Sequence, residues 1–276
     1  MGRLGPRQRE QSAHSLSEKC LLVQSHRIHD RKGAVNMPPE VRRAPRRPDR
    51  TPLAAPGLPR RQALADSVYE AVKAMVMDHE IQPGTRVGIE ALSRSLGVSP
   101  TPVREALARL EADGLVVKRS LSGYRATELL SRQGVEELFE MRLLLEPRAV
   151  ALAAEHAQEA QLDRLETLVE EMQGLPDRGG SYAVYGRFVA LDQQFHEGLA
   201  AATGRNMLAG AVERLHSHLH LFRLSAVTGG SPSTVMEHSR ILRAVLRRSP
   251  DRAAEAMREH LDLSLERYRS RYDEDT

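Results

Sequence analysis

The sequence has no tryptophan, and only four phenylalanines and six tyrosines in 276 residues. So few aromatics weigh against strand-rich folds and against surfaces that bind nucleic acid by stacking its bases. One cysteine, Cys20, excludes an intrachain disulfide framework and fits a reducing compartment. No apolar run approaches the roughly 18–20 residues that span a bilayer. Cys20-Leu21-Leu22-Val23 is too short for a signal-peptide core. The expectation is a cytoplasmic protein with no membrane partner. Lysine is scarce and arginine abundant, at a net charge of only +3. The basic excess lies early in the chain and the acids later, which points to a nucleic-acid-facing end and a different task for the rest.

What is present suffices for two domains. Hydrophobic residues make up 41% and charged residues 28%, ordinary for a globular chain with a real core. Residues 1–58 carry Pro38-Pro39, Arg42-Arg43-Ala44-Pro45-Arg46-Arg47-Pro48 and further prolines without a hydrophobic period. Such a segment cannot bury enough surface to fold. It reads as a disordered leader, with a phosphate-attracting arm as the other reading. Met37 is a second candidate start, which a native peptide from ahead of it would exclude.

From Gln62 the period becomes helical, with Leu64, Val68, Val72, Met75 and Val76 on one face until Pro83-Gly84. Ile89, Leu92 and Leu96 mark a short helix ended by Gly97. Ser99-Pro100-Thr101-Pro102 turns the chain, and Val103, Leu107 and Leu110 mark the next helix, ended at Asp113-Gly114. Two segments, Leu115–Arg119 and Tyr124–Thr127, then flank a small-residue turn and predict a hairpin. Helix, helix-turn-helix and hairpin make a winged helix over 59–127. Its second short helix can enter the major groove.

In that frame the residue roles follow from chemistry. Ser99 and Thr101 can donate hydroxyls to phosphate beside a helix N-terminus. Arg104, one turn in, can fork onto guanine O6 and N7. Arg94, Arg109, Lys118, Arg119 and Arg125 are candidates for phosphate contacts that position without specifying sequence. A solvated surface arginine is the bland alternative for each, and for Arg109 the two readings balance.

Residues 131–273 read as helical almost throughout, an all-α bundle of six helices with breaks at Gly174-Leu175-Pro176, Gly179-Gly180, Thr203-Gly204, Gly229–Pro232 and Ser249-Pro250. The fourth of these helices is expected to run from Asn206 to about Ser225, and Asp251 is expected to cap the sixth. Asp192 and His196 stand four apart on the third helix and share a face. His238 and His260 lie beside apolar residues on the fifth and sixth. Three imidazoles and a carboxylate suit borderline divalent metals such as zinc, nickel or manganese. Periodicity alone does not show that they converge, and a hydrogen-bonded core histidine is the usual alternative. His216, His218 and His220 form a second cluster without a carboxylate, readable as a helix face lining a pocket or as plain surface.

The motifs carry a resemblance. Pro83-Gly84, Leu96-Gly97-Val98-Ser99, Thr101-Pro102-Val103-Arg104-Glu105-Ala106-Leu107, Arg109-Leu110-Glu111 and Asp113-Gly114-Leu115-Val116 resemble the DNA-binding domain of GntR-type bacterial transcription regulators. Pro100 stands where the family commonly has an arginine, and Ile89 where many members carry a glutamate. Phe139-Glu140-Met141-Arg142 with Glu146, Leu191-Asp192 with Phe195-His196, Gly204-Arg205-Asn206, Glu237-His238 and Glu259-His260-Leu261 resemble the FCD effector domain of the FadR subfamily. The resemblance implies a mainly α fold, with DNA contacts from Ser99, Thr101, Arg104, Arg94, Arg109, Arg119 and Gly123 in the wing. It implies a divalent metal on Asp192, His196, His238 and His260, and a small organic acid effector bound there with Arg142 and Asn206. A structural ion pair with Glu146 is the other reading of Arg142.

The function expected on this basis is a homodimeric regulator, more a repressor than an activator. It would bind a pseudo-palindromic double-stranded operator and respond to a carboxylate. A direct metal sensor is the alternative. A metal-dependent hydrolase fits less well, since His196-Glu197 is followed by Ala200 where HExxH needs its second histidine.

Overall fold

The structure is a computed structural model that describes residues 59–120, 122–175, 181–224 and 232–274. The leader 1–58 with Cys20 and Met37, and the Gly179-Gly180 and Gly229-Gly230-Ser231 breaks, lie outside the described residues. Helix α1 spans Pro59–Met77, α2 Ile89–Leu96 and α3 Pro100–Ala112, with strands β1 Arg86–Val87, β2 Val116–Arg119 and β3 Gly123–Ala126. Behind them come α4 Arg132–His156, α5 Glu159–Gln173, α6 Tyr182–Ala201, α7 Asn206–Glu213, α8 Ser217–Leu224, α9 Pro232–Leu246 and α10 Pro250–Glu274. The architecture is mainly α: a winged helix-turn-helix followed by a helical bundle.

The helix-turn-helix forms for the reasons its residues suggest. Gly97 sits at φ +66°, which favours glycine, and closes α2 through its own N–H on Arg94 and the Val98 N–H on Ser93. Pro100 and Pro102 occupy the start of α3, where a missing N–H costs nothing. The inner face of α3, formed by Val103, Ala106, Leu107 and Leu110, is fully buried and packs on α1.

Three details depart from the expectation. The wing is a three-stranded antiparallel sheet of order β1-β3-β2, not a two-stranded hairpin. Arg86 and Val87 add an edge by pairing with Arg125 and Tyr124. Two residues carry no periodicity, so this strand had no sequence signal. Among the described residues the bundle has seven helices rather than six, because the expected fourth helix breaks at Arg214–His216. His216 takes φ +43°, and three-residue closures from Leu215 to Val212 and from His216 to Glu213 end α7. Neither glycine nor proline marks this break. Finally, Ser249 rather than Asp251 opens α10: its carbonyl accepts the first helical bond, from Ala253, and Asp251 lies in the first turn. Ser131 caps α4 as expected, accepting from the Gly134 N–H at 3.1 Å.

Bundle and head share one buried core. The Asp78 carboxylate accepts from the Tyr182 backbone N–H at 2.6 Å, and the Tyr272 hydroxyl donates to the Leu130 carbonyl at 2.7 Å. No helix among the described residues is long and apolar enough to cross a membrane.

Candidate functional site

The outer side of α3 begins with Ser99, Pro100, Thr101 and Arg104, all exposed. Ser99 is the N-cap residue, yet its side chain makes no capping hydrogen bond, so the hydroxyl is not committed to the helix. Arg94 on α2, Arg119 at the end of β2 and Gly123 at the wing turn are exposed as well. Gly123 holds φ +75° with open space where a Cβ would stand. Lys118 and Arg125 are also exposed, and the Arg125 guanidinium donates to the Gly84 carbonyl at 2.8 Å. Arg109 departs from this set. Its guanidinium pairs with Asp66 on α1 at 2.6 Å and lies 4.0 Å from the Tyr69 ring centroid. It ties α3 to α1, a role that neither the phosphate contact nor the solvated surface arginine anticipates.

Inside the bundle, α6, α9 and α10 bring three histidines together. Ring centroids of His196 and His238 lie 5.2 Å apart, those of His196 and His260 5.3 Å, and those of His238 and His260 4.9 Å. One nitrogen from each can be chosen so that all three lie within 4.8 Å of one another, a spacing that could hold a metal ion. All three residues are buried, and Asp192 Oδ1 reaches to 3.5 Å from His238 Nε2. The three histidines thus meet in one place, and Asp192 stands at its edge against His238.

A second layer of carboxylates orients two of the rings. Glu146 Oε2 lies 2.7 Å from His196 Nδ1, and Glu237 Oε2 lies 2.7 Å from His260 Nδ1. Burial alone would raise the Glu146 pKa, but the neighbouring Arg142 and His196 outweigh it and hold the group well below the usual carboxylate range. An ionised carboxylate only accepts, so His196 Nδ1 carries a proton and Nε2 is the nitrogen that no hydrogen bond claims. This His196 Nε2, and both nitrogens of His238, are buried without a hydrogen-bond partner among the described residues. Burial, then the neighbouring histidines and Arg142, push His238 far below the ordinary histidine value, so it is neutral. His260 is lowered too, by burial that outweighs its bond to Glu237. Closely grouped buried imidazoles, two braced by carboxylates and the third packed in the core, are what a metal ligand set needs.

Beside the triad lies a small cavity, about 30 Å³ as traced by the centre of a water-sized sphere. Arg142, Asp192, His196 and His260 line one part of it, and His218, Leu221 and Phe222 from α8 another. Arg142 makes the structural pair: its Nε donates to Glu146 Oε1 at 2.6 Å, and its side chain also borders the cavity. Asn206 does not belong to this site. It is the exposed first residue of α7 and is not among the cavity's lining residues. Gly204 at φ +66° and the Arg205 N–H bonded to Thr203 Oγ1 at 2.9 Å turn the chain so that α7 starts at the surface. His218 is a cavity residue, whereas His216 sits at the helix break. Glu237 and Arg267 were not foreseen as parts of the site. Glu237 stands next to His238 in sequence, and its role depends on the approach of α10, which no local pattern reports.

Comparison with known proteins agrees with this division. Residues 64–125 match the bacterial regulatory proteins of the gntR family, and residues 137–263 match the FCD domain. The chain is 30% identical over 196 residues to the HTH-type transcriptional regulator YdhC of Bacillus subtilis, covering 70% of this chain and 86% of that protein. It is 28% identical over 229 residues to the HTH-type transcriptional repressor NanR of Edwardsiella tarda, covering 73% of this chain and 84% of the relative. The solved structure of Escherichia coli McbR/YncC superposes with a TM-score of 0.58 at 21% identity, over 76% of this chain and 98% of that one.

Proposed function

This chain belongs to the GntR family of bacterial transcription regulators, in the subfamily with an FCD domain, and from that premise we propose that it is a metal-dependent, ligand-responsive repressor. It is a DNA-binding transcription regulator and not an enzyme. The finer reading is that a divalent metal (zinc, nickel or manganese) is held by Asp192, His196, His238 and His260, and that a small organic acid binds beside it. The observation that carries this reading is the buried histidine triad, in which one nitrogen from each ring lies within 4.8 Å of the others and His196 and His238 have nitrogens without a hydrogen-bond partner among the described residues. Such a metal would supply positive charge and open coordination positions for a carboxylate. The cavity beside it suits a small ligand, and Arg142 at its edge can form a charge-assisted bond with an acid. Repression is supported by the name of the related NanR.

A homodimer on a pseudo-palindromic operator fits the single recognition helix per chain. Helices α4 and α7, which pack together, leave Met141, Leu144 and Met207 exposed. An apolar face of this kind favours a self-complementary contact. In the dimer, Ser99 and Thr101 would approach phosphates, Arg104 a base edge, and Arg94, Arg119 and the Gly123 turn the flanking backbone.

Two experiments test the reading. Replacing Arg104 by alanine should weaken binding to a duplex selected by the wild-type protein by about 5- to 150-fold per half-site, from roughly 1–3 kcal/mol of lost base discrimination. Binding to random duplex should change little, and fluorescence anisotropy reads both. Thermal-shift screening of small carboxylates, with and without chelator, tests the effector site. An acid that stabilises only the metal-replete protein and alters its affinity for the selected duplex is expected. Loss of DNA binding on chelation, with no response to any acid, would instead identify a direct metal sensor.

A further inference from the structure

Helix α8 has two working faces. His218, Leu221 and Phe222 line the cavity beside the triad. His220 and Arg223, three apart on another side, meet the DNA-binding head. A Cβ added at Gly114, the residue in φ +74° that follows α3, would lie 3.4 Å from His220 Nε2. Arg223 is 2% exposed. Its Nη1 donates to Thr127 Oγ1 and its Nη2 to the Thr127 carbonyl, each at 2.8 Å. Thr127 in turn directs its hydroxyl at the Gly114 and Leu115 carbonyls, 2.9 and 3.1 Å away, where α3 passes into β2. Thus one guanidinium reaches, through one threonine, the point where recognition helix and wing join.

This arrangement is expensive for a purely structural contact. Arg223 Nε is buried with no partner among the described residues, and no carboxylate lies within ion-pair distance of the guanidinium among them. Glu128 offsets part of the burial from beyond contact, but a buried charge with no contacting counter-ion is worth less to stability than an apolar side chain of similar volume. The planar fork does confer geometry: two parallel donors fix the hydroxyl and the carbonyl of the same residue.

We propose that Arg223 is a positioning residue for DNA recognition, and that α8 carries the state of the cavity to the joint between recognition helix and wing through the Arg223–Thr127 contact. The cavity as a ligand site rests on the function proposed above; the α8-to-head link does not. Coupling between two sites is reciprocal, so occupation of the head by DNA must be felt at α8.

Hydrogen–deuterium exchange on the full chain tests this, using a duplex selected from a random library by the wild-type protein. Addition of the duplex is expected to change exchange in residues 217–224 of the wild type. In Arg223→Lys, which keeps the charge and loses the fork, that response should vanish and affinity for the selected duplex should fall severalfold, while the melting temperature stays and α3 still responds at saturating duplex. Thr127→Val, which keeps the shape and loses the hydroxyl, should diminish it in the same way and serves if the lysine variant misfolds. A wild-type α8 indifferent to DNA, or variants whose α8 responds as fully as the wild type, would overturn the proposal. A parallel arm adds Zn²⁺ in place of DNA. If Zn²⁺ changes nothing while the DNA response behaves as stated, the metal reading fails and the role of Arg223 stands.

Discussion

Replacing Glu146 by alanine is expected to lower the stability of the metal-free protein by about 3–5 kcal/mol, the usual cost of breaking a buried ion pair from one side. The loss has two parts. Arg142, 4% exposed, keeps its charge but loses the carboxylate that accepts from Nε at 2.6 Å. His196 loses the acceptor that fixes its Nδ1 proton at 2.7 Å. Urea unfolding in the presence of chelator measures the change, and an effect under about 1 kcal/mol would mean that water reaches Arg142 and replaces the carboxylate. The double change Arg142→Met with Glu146→Leu should recover much of the loss, since apolar replacements of a buried pair are often neutral. The same pair gives an acid limb. The folded pKa of Glu146 lies below its ordinary value of 4.5. Its contribution is therefore complete above that value and is lost as pH falls toward the folded one. The alanine variant should lack this component of acid destabilisation.

The second large effect concerns His238. Both of its ring nitrogens are buried without a hydrogen-bond partner among the described residues, Asp192 Oδ1 standing off at 3.5 Å from Nε2, and the residue is 0% exposed. In the metal-free state such a group carries an uncompensated desolvation cost. His238→Leu is therefore expected to leave the chelated protein as stable as the wild type, or more so. With metal the order should reverse. A ligand at a thousandfold excess over its Kd stabilises by about 4 kcal/mol, or roughly 8–16 °C in Tm for a domain of this size. The wild type should show this shift on adding Zn²⁺, Ni²⁺ or Mn²⁺, and the leucine variant none. Differential scanning fluorimetry with each metal decides it. A variant destabilised in chelator by several kcal/mol would mean that His238 is a packing residue and nothing more.

The two halves of the protein were legible in the sequence to different degrees, for physical reasons. The DNA-binding head is built from local signals: Gly97 at positive φ, prolines at the start of α3, an apolar stripe at Val103, Leu107 and Leu110. Each acts within a few residues, so spacing alone places Arg104 on the exposed side of α3. Asp192 and His196 could likewise be put on one face, being four apart on one helix. That His238 and His260 join them depends on how α9 and α10 pack against α6, and no local pattern encodes that approach. The resemblance to a known family supplied what periodicity could not. Arg205-Asn206 shows the opposite case: a matched motif position whose local turn sends Asn206 to the surface. The break at His216 was hidden because its neighbours, Leu215, Ser217 and Leu219, all permit a helix; only the packing of α8 on the cavity and the head separates it from α7. Arg109 and Arg223 have different fates, one on a surface acid and ring, the other buried on a threonine.

Elemental analysis of the purified full chain tests the central claim most directly. After equilibration with a zinc, nickel and manganese mixture and removal of excess, the wild type should retain about one equivalent of a single divalent metal per chain, as the geometry of one buried triad requires. His196→Ala and His238→Leu should retain essentially none while the helical content of the chain, read by circular dichroism, stays that of the wild type. A wild type free of metal, or triad variants that keep a full equivalent, would contradict the account.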